Sequence, residues 1–298
     1  MIMTAIGFIG LGAMGAPLAG RLLDGNRVYG TNRTQAKATA LIEQGLIWRD
    51  TPREVAAASD VVCSMVTDDT ALAAITGGDD GILAGLRPGA SYVEMSTVSP
   101  RTSRELAARV QAAGATMIDA PVSGSVPAAE SGTLAIMVGG PESTFHTVEP
   151  LLSRLGSAVT HVGGNGKGLL LKLAINISLA AQMLAFSEGL LLAERGGIDP
   201  ALASRVMAAS AIGSPMLKVR APLTLDLPEH AWFDMRLMHK DIRLALAAAR
   251  ASNVPLPAAT TADAVASPPA PDPENTSEPH PRPSTRTTFS APRARAKG

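Results

Sequence analysis

The sequence predicts an α/β domain over residues 1–162, an all-α domain over 163–266 and a proline-rich tail over 267–298. Three observations carry this. Strand-like and helix-like stretches alternate through the first half of the chain. A long apolar helix, containing "GLLLKLAINISLA", opens the second part. Near Ala266 apolar periodicity stops and prolines take over, a composition that cannot bury enough surface to order itself.

The first element is an apolar strand, Ala5 to Ile9. Gly10, Gly12 and Gly15 follow as G-x-G-x-x-G, and then helical spacing at Met14, Leu18 and Leu22. Gly10 allows a tight turn, Gly12 lets the backbone approach a pyrophosphate, and Gly15 lets the helix pack on the strand. The free N–H groups of the helix start would face the anion. The strand–turn–helix context predicts a Rossmann-type dinucleotide site; a plain glycine-rich turn is the competing reading.

The next strand is "RVYGTNRT". Where an NAD site carries an acid for the ribose 2′-hydroxyl, this chain has Asn32, Arg33 and Thr34. No acid repels a 2′-phosphate there, and Arg33 can pair with one, so NADP(H) is the expected preference, with NAD(H) possible. A merely solvated Arg33 is the alternative. Strand "SDVVCSMV", helix start "DDTALAAI", strand "ASYVEMS", helix "SPRTSRELAARVQAAG" and strand "TMIDAPV" continue the alternation. They predict a parallel sheet with helices on both faces. Ligands of such sheets bind at the carboxyl ends of strands, so Met65, Val66 and Thr97 are expected cofactor contacts. Thr97 fits an N-cap equally well. Backbone N–H groups of the turn "VSGS", with the Ser123 hydroxyl, suit a carboxylate; an ordinary turn fits too.

Composition narrows the function classes. Lys plus Arg and Asp plus Glu both number 26, so no net charge points to nucleic acid or an anionic membrane. Aromatic residues are only 3%, too few for base-stacking platforms. The single cysteine, Cys63, lies in an apolar run and is expected to be buried; no metal site is expected. No leader precedes the glycine motif and no uninterrupted apolar run reaches about 18 residues, so a cytoplasmic protein is expected.

Lys172 and Asn176 interrupt the apolar helix four residues apart, on one face. A lysine can lay its methylenes on apolar surface and keep its ammonium in water. Chemistry would need a cleft beside that face.

Four blocks stand in order: "GFIGLGAMGAPLA", "DAPVSGSVPAAESGTLAIMVGG", "GKGLLLKLAINISLA" and "MHKDIRLAL". On these the chain resembles the β-hydroxyacid dehydrogenases over about residues 4–265. The resemblance implies that Lys172 is the catalytic acid/base and that Asn176 helps orient the substrate. It implies that Ser123 and Gly124 bind the substrate carboxylate and that Lys240 lies near the nicotinamide end of the cofactor, with Asp241 structural. It further implies a homo-oligomer and an NADP(H)-dependent interconversion of a small semialdehyde or keto acid with its hydroxy acid. An NAD-dependent 3-hydroxyisobutyrate-type oxidation is the nearest alternative; cofactor binding without turnover is an alternative of another class. Apolar neighbours are expected to lower the Lys172 pKa. Two departures stand out. Ser125 replaces a second glycine after "VSG", and the helical ending gives way to "SPPAPDPENTSEPHPRPSTRTTFSAPRARAKG", which reads as a disordered tail. Met216, Phe233 and Met235 are expected either to border the substrate pocket or to pack the core.

Overall fold

The structure, a computed structural model, describes residues 4–226 and 234–267. The tail beyond Ser267 and Phe233 lie outside the described residues. The first half alternates as expected: β1 (Ala5–Ile9), α1 (Gly15–Leu23), β2 (Arg27–Thr31), α2 (Thr39–Glu43), β3 (Ile47–Trp48), α3 (Pro52–Ala57) and β4 (Val61–Ser64). It continues with α4 (Asp69–Thr76), α5 (Ile82–Gly85), β5 (Ser91–Glu94), α6 (Pro100–Ala112) and β6 (Thr116–Asp119). These six strands are parallel, in the order β3-β2-β1-β4-β5-β6. The order reverses between β1 and β4, which opens a crevice at their carboxyl ends. Every residue of β4 and β5 is buried, as expected for a sheet covered on both faces. Cys63 is fully buried, and burial pushes its thiol up to about 12.

The sheet does not stay parallel. Beyond β6 come β7 (Val122–Ser123), α7 (Val126–Ser131), β8 (Leu134–Gly139), α8 (Glu142–Leu152) and β9 (Gly156–Gly163). Strand β8 runs antiparallel to β6 and β7, and β9 runs parallel to β8. The reason is chain length. The connection carrying α7 is shorter than the dozen or so residues a parallel crossover needs, so the strand returns antiparallel.

The second half is helical: α9 (Lys167–Arg195), α10 (Pro200–Ala209), α11 (Pro215–Arg220), α12 (Met235–Ala251) and α13 (Pro257–Ala266). With 29 residues and a mean hydropathy of 1.8 in its most apolar window, α9 is long and apolar enough to cross a bilayer by length and composition. Here it is the central post of the helical half. Ala180 packs with Met238, Ile242 and Ala262 of α12 and α13, while Phe186 and Leu190 pack with Ala203 and Leu217 of α10 and α11. Partners on both sides explain why the helix is apolar nearly all round.

The amino end of α9 is fixed to the sheet by Asp119, the last residue of β6, whose side chain is fully buried. Its Oδ1 accepts from the Gly166 N–H at 2.6 Å and its Oδ2 from the Leu169 N–H at 3.0 Å. The Ser103 hydroxyl of α6 adds a longer bond at 3.4 Å. Unpaired N–H groups at a helix start attract a carboxylate, and here it comes from another element. Asp119→Ala leaves those two buried N–H groups without an acceptor. Hydrogen bonds to a charged group are each worth about 1.5–3 kcal/mol, so the variant should lose about 3–6 kcal/mol of unfolding free energy in urea titrations at unchanged slope. A loss under about 0.5 kcal/mol would mean that packing alone holds the helix.

Candidate active site

The glycine loop forms a cradle at the carboxyl end of β1. Gly10 has φ +93°, and a Cβ there would stand 2.2 Å from the Met65 carbonyl oxygen. A Cβ on Gly15 would meet the Gly10 oxygen at 1.9 Å, whereas one on Gly12 would meet nothing within 4 Å. The loop is therefore closed against the protein at its two ends and open in the middle, where a pyrophosphate must approach. The cradle and the amino end of α1 fit a dinucleotide.

Asn32 turns inward. Its Oδ1 accepts from the Leu11 N–H at 3.1 Å and its Nδ2 donates to the Thr34 carbonyl at 3.0 Å, so it braces the glycine loop. Arg33 and Thr34 are exposed just past the end of β2. Lys37, also exposed, follows in a 3₁₀ stretch and adds a cation that the sequence reading did not single out.

Met65 and Val66 lie in the loop after β4, against the cradle; a Cβ on Gly10 would stand 3.3 Å from the Val66 side chain. The Val66 N–H donates to Ser96 Oγ at 2.8 Å, so a serine that sequence reasoning missed holds that loop. Thr97 is not the cap of α6: the Ser99 hydroxyl accepts from the Arg101 and Thr102 N–H groups instead. Thr97 stays in the cleft wall, where its carbonyl accepts from Lys240 Nζ.

Lys240 crosses the cleft. It donates also to the Thr67 carbonyl at 2.8 Å, and its Nζ lies 3.0 Å from Asp241 Oδ1. Its ammonium thus ties α12 to the loops after β4 and β5. Asp241 is the hub of the network. Its Oδ2 accepts from Asn176 Nδ2 at 2.6 Å, and Asn176 is only 3% exposed. With the amide NH₂ directed at Asp241, the Asn176 carbonyl oxygen is the atom left to meet a ligand, as an acceptor.

Lys172 stands one turn before Asn176, partly buried, with no ion pair or hydrogen bond among the described residues. Burial lowers its pKa from 10.5 to about 8; Asp241 opposes that shift, and the positive charges of Lys240 and Arg220 reinforce it. A snorkelling lysine would keep its ordinary value. Glu94, within reach of the Lys240 charge, is fully buried at the end of β5, and burial raises its pKa to about 8. Its Oε1 accepts from the Ser96 N–H at 2.7 Å, and its Oε2 has no hydrogen-bond partner among the described residues.

Ser123 and Gly124 lie at and just past β7, partly buried and exposed respectively. No hydrogen bond among the described residues joins them to Lys172 or Asn176. Ser125 occupies the N-cap position of α7 but its side chain makes no capping bond. Met235 lines a cavity beside α9, and Met216 does not.

Two family models match this chain. The NAD binding domain of 6-phosphogluconate dehydrogenase matches residues 5–163. The NAD-binding domain of NADP-dependent 3-hydroxyisobutyrate dehydrogenase matches residues 166–268. The 2-(hydroxymethyl)glutarate dehydrogenase of Eubacterium barkeri is 36% identical over 254 residues, 85% of this chain and 84% of that protein. The 2-hydroxy-3-oxopropionate reductase of Escherichia coli K12 is 36% identical over 252 residues, 85% of this chain and 86% of that protein. The structure of Mycobacterium tuberculosis 3-hydroxyisobutyrate dehydrogenase with L-serine superposes with a TM-score of 0.79 at 30% identity, covering 89% of this chain and 93% of that one. A pyrophosphate cradle on a doubly wound sheet, a helical half built on the Lys172 helix, and relatives matched along most of their length lead to one conclusion: the chain belongs to the β-hydroxyacid dehydrogenase family and is an NAD(P)-dependent oxidoreductase acting on the CH–OH group of small hydroxy acids.

Proposed function

We propose that this chain uses NADP(H) to interconvert a small semialdehyde or keto acid with its hydroxy acid, with Lys172 as the general acid/base. The observation that carries the reading is Lys172 itself: a lysine without an ion-pair partner among the described residues, beside the buried Asn176–Asp241–Lys240 network, with a pKa lowered to about 8. Such a group can both hold and release a proton near neutral pH.

In reduction Lys172 donates its proton to the substrate carbonyl oxygen, and its charge stabilises that oxygen as negative charge develops. In oxidation the neutral amine accepts the hydroxyl proton. Asn176 accepts a hydrogen bond from a substrate hydroxyl through Oδ1. Ser123 and the backbone at Gly124 bind the carboxylate. Gly10, Gly12 and Gly15 cradle the pyrophosphate, and Met65, Val66 and Thr97 border the nicotinamide side. When bound, the dinucleotide supplies or accepts the hydride. The NADP(H) preference is supported by exposed Arg33 and Lys37 where an NAD site would carry an acid, and by the NADP-dependent description of the second family model. The semialdehyde class is supported by the reductase among the relatives.

Initial rates with NADPH and NADH, using glyoxylate, succinic semialdehyde, tartronate semialdehyde and methylmalonate semialdehyde, test the reading. We expect turnover with NADPH of at least one substrate, and a loss on the order of 10²–10⁴-fold in kcat for folded Lys172→Ala. Near-full activity of that variant would remove Lys172 from the chemistry. NADPH binding without turnover of any of these substrates, or of a dicarboxylic hydroxy acid with NADP⁺, would leave a cofactor-binding protein.

Arg33→Ser should raise KM for NADPH on the order of 10–100-fold while changing KM for NADH little. A wild-type preference for NADH, or equal changes for both cofactors, would favour an NAD-dependent oxidation of the 3-hydroxyisobutyrate type.

A further inference from the structure

The helix face that carries Lys172 does not end at Asn176. Lys172, Asn176, Leu179 and Met183 recur at i, i+4, i+7 and i+11, one stripe of α9. Leu179 and Met183 form a wall of a cavity of about 90 Å³, whose other walls include Met238, Ile242 and Ala262. Among its lining residues one is polar: Arg220, the last residue of α11.

Arg220 is out of place by the usual rules. It is partly buried, and burial lowers its pKa. Among the described residues no carboxylate pairs with it; the described arginine ion pairs belong to Arg87, Arg101, Arg154 and Arg236. No described carbonyl accepts a hydrogen bond from it. A guanidinium cannot neutralise itself by shedding its proton, so a desolvated one calls for an anion. Its planar fork of donors matches a carboxylate. It also lies close enough to Lys172 for its charge to help lower that lysine.

We propose that Arg220 and this cavity form a second carboxylate subsite, which makes the substrate a dicarboxylic acid. One carboxylate sits at Ser123 and Gly124, the reacting carbon lies at Lys172, and a short hydrocarbon spacer leads to a second carboxylate at Arg220. The apolar walls suit the spacer, and the single fork suits the distal charge. This subsite rests on the reading of Lys172 as the acid/base.

The test uses two acids of matched shape: 2-(hydroxymethyl)glutarate, and 2-(hydroxymethyl)pentanoate, in which a methyl replaces the distal carboxylate. NADP⁺ reduction by the full chain gives kcat/KM for each. The wild type should prefer the diacid on the order of 100-fold, Arg220→Met should bring that ratio to about 1, and Arg220→Lys should keep part of it. Equal use of both acids by the wild type, or an unchanged ratio in folded Arg220→Met, would overturn the subsite while leaving the acid/base role of Lys172 standing. Glutarate binding, measured by calorimetry in the presence of NADP⁺, separates the remaining case. Without turnover of either acid, binding weakened on the order of 100-fold in Arg220→Met supports the subsite, and the semialdehyde panel with Lys172→Ala then decides the Lys172 reading. Without turnover, glutarate binding that is absent or equal in both proteins overturns the subsite as well.

Discussion

Asp119 sits where the sheet ends and the helical half begins. Its two oxygens take the Gly166 and Leu169 N–H groups, and with them the start of α9. An α-helix rises about 1.5 Å per residue and turns 100° with each, so fixing its first turn fixes every later side chain. Lys172 stands only three residues past Leu169. The glycine cradle is built on β1 of the same sheet. Lys172 and the dinucleotide cradle are therefore referenced to one rigid body, the arrangement that near-attack geometry would demand of a proton donor.

The other side of the cleft is held by a polar chain. Lys240 bonds two loop carbonyls and meets Asp241, and Asp241 takes the Asn176 amide. Burying such groups is costly unless they find partners; here Asp241 Oδ2 takes the Asn176 amide and the Thr67 and Thr97 carbonyls take the Lys240 ammonium. The same chain tunes Lys172. Burial, the largest cause, lowers its pKa, Lys240 and Arg220 lower it further, and Asp241 pulls it upward. The side chains that frame the cleft are thus among those that set the charge on Lys172.

Much of this was legible in the chain itself. The three glycines answer local steric demands, so their spacing showed the cradle. Apolar runs gave β1, β4 and β5, and helical spacing brought Lys172 and Asn176 to one face. What escaped reading depends on partners far away in sequence. Gly166 is 47 residues from Asp119, and Lys240 is 143 from Thr97. Nothing local separates an asparagine that braces a loop, as Asn32 does, from one that touches a ligand. In "TVSP" two hydroxyls compete to cap α6, and Ser99 wins because Pro100 is preorganised for the first helical position. The antiparallel β8 follows from a connection length that strand patterns do not reveal.

The claim on which the rest turns is that this fold lowers the basicity of Lys172. Lysine-labelled protein, without substrate, can be titrated by NMR, with the Lys172 signal assigned by its disappearance in Lys172→Arg. A midpoint at about 8 is the expected result. A midpoint near the ordinary 10.5 would show a solvated ammonium, and Lys172 would then be a snorkelling surface lysine.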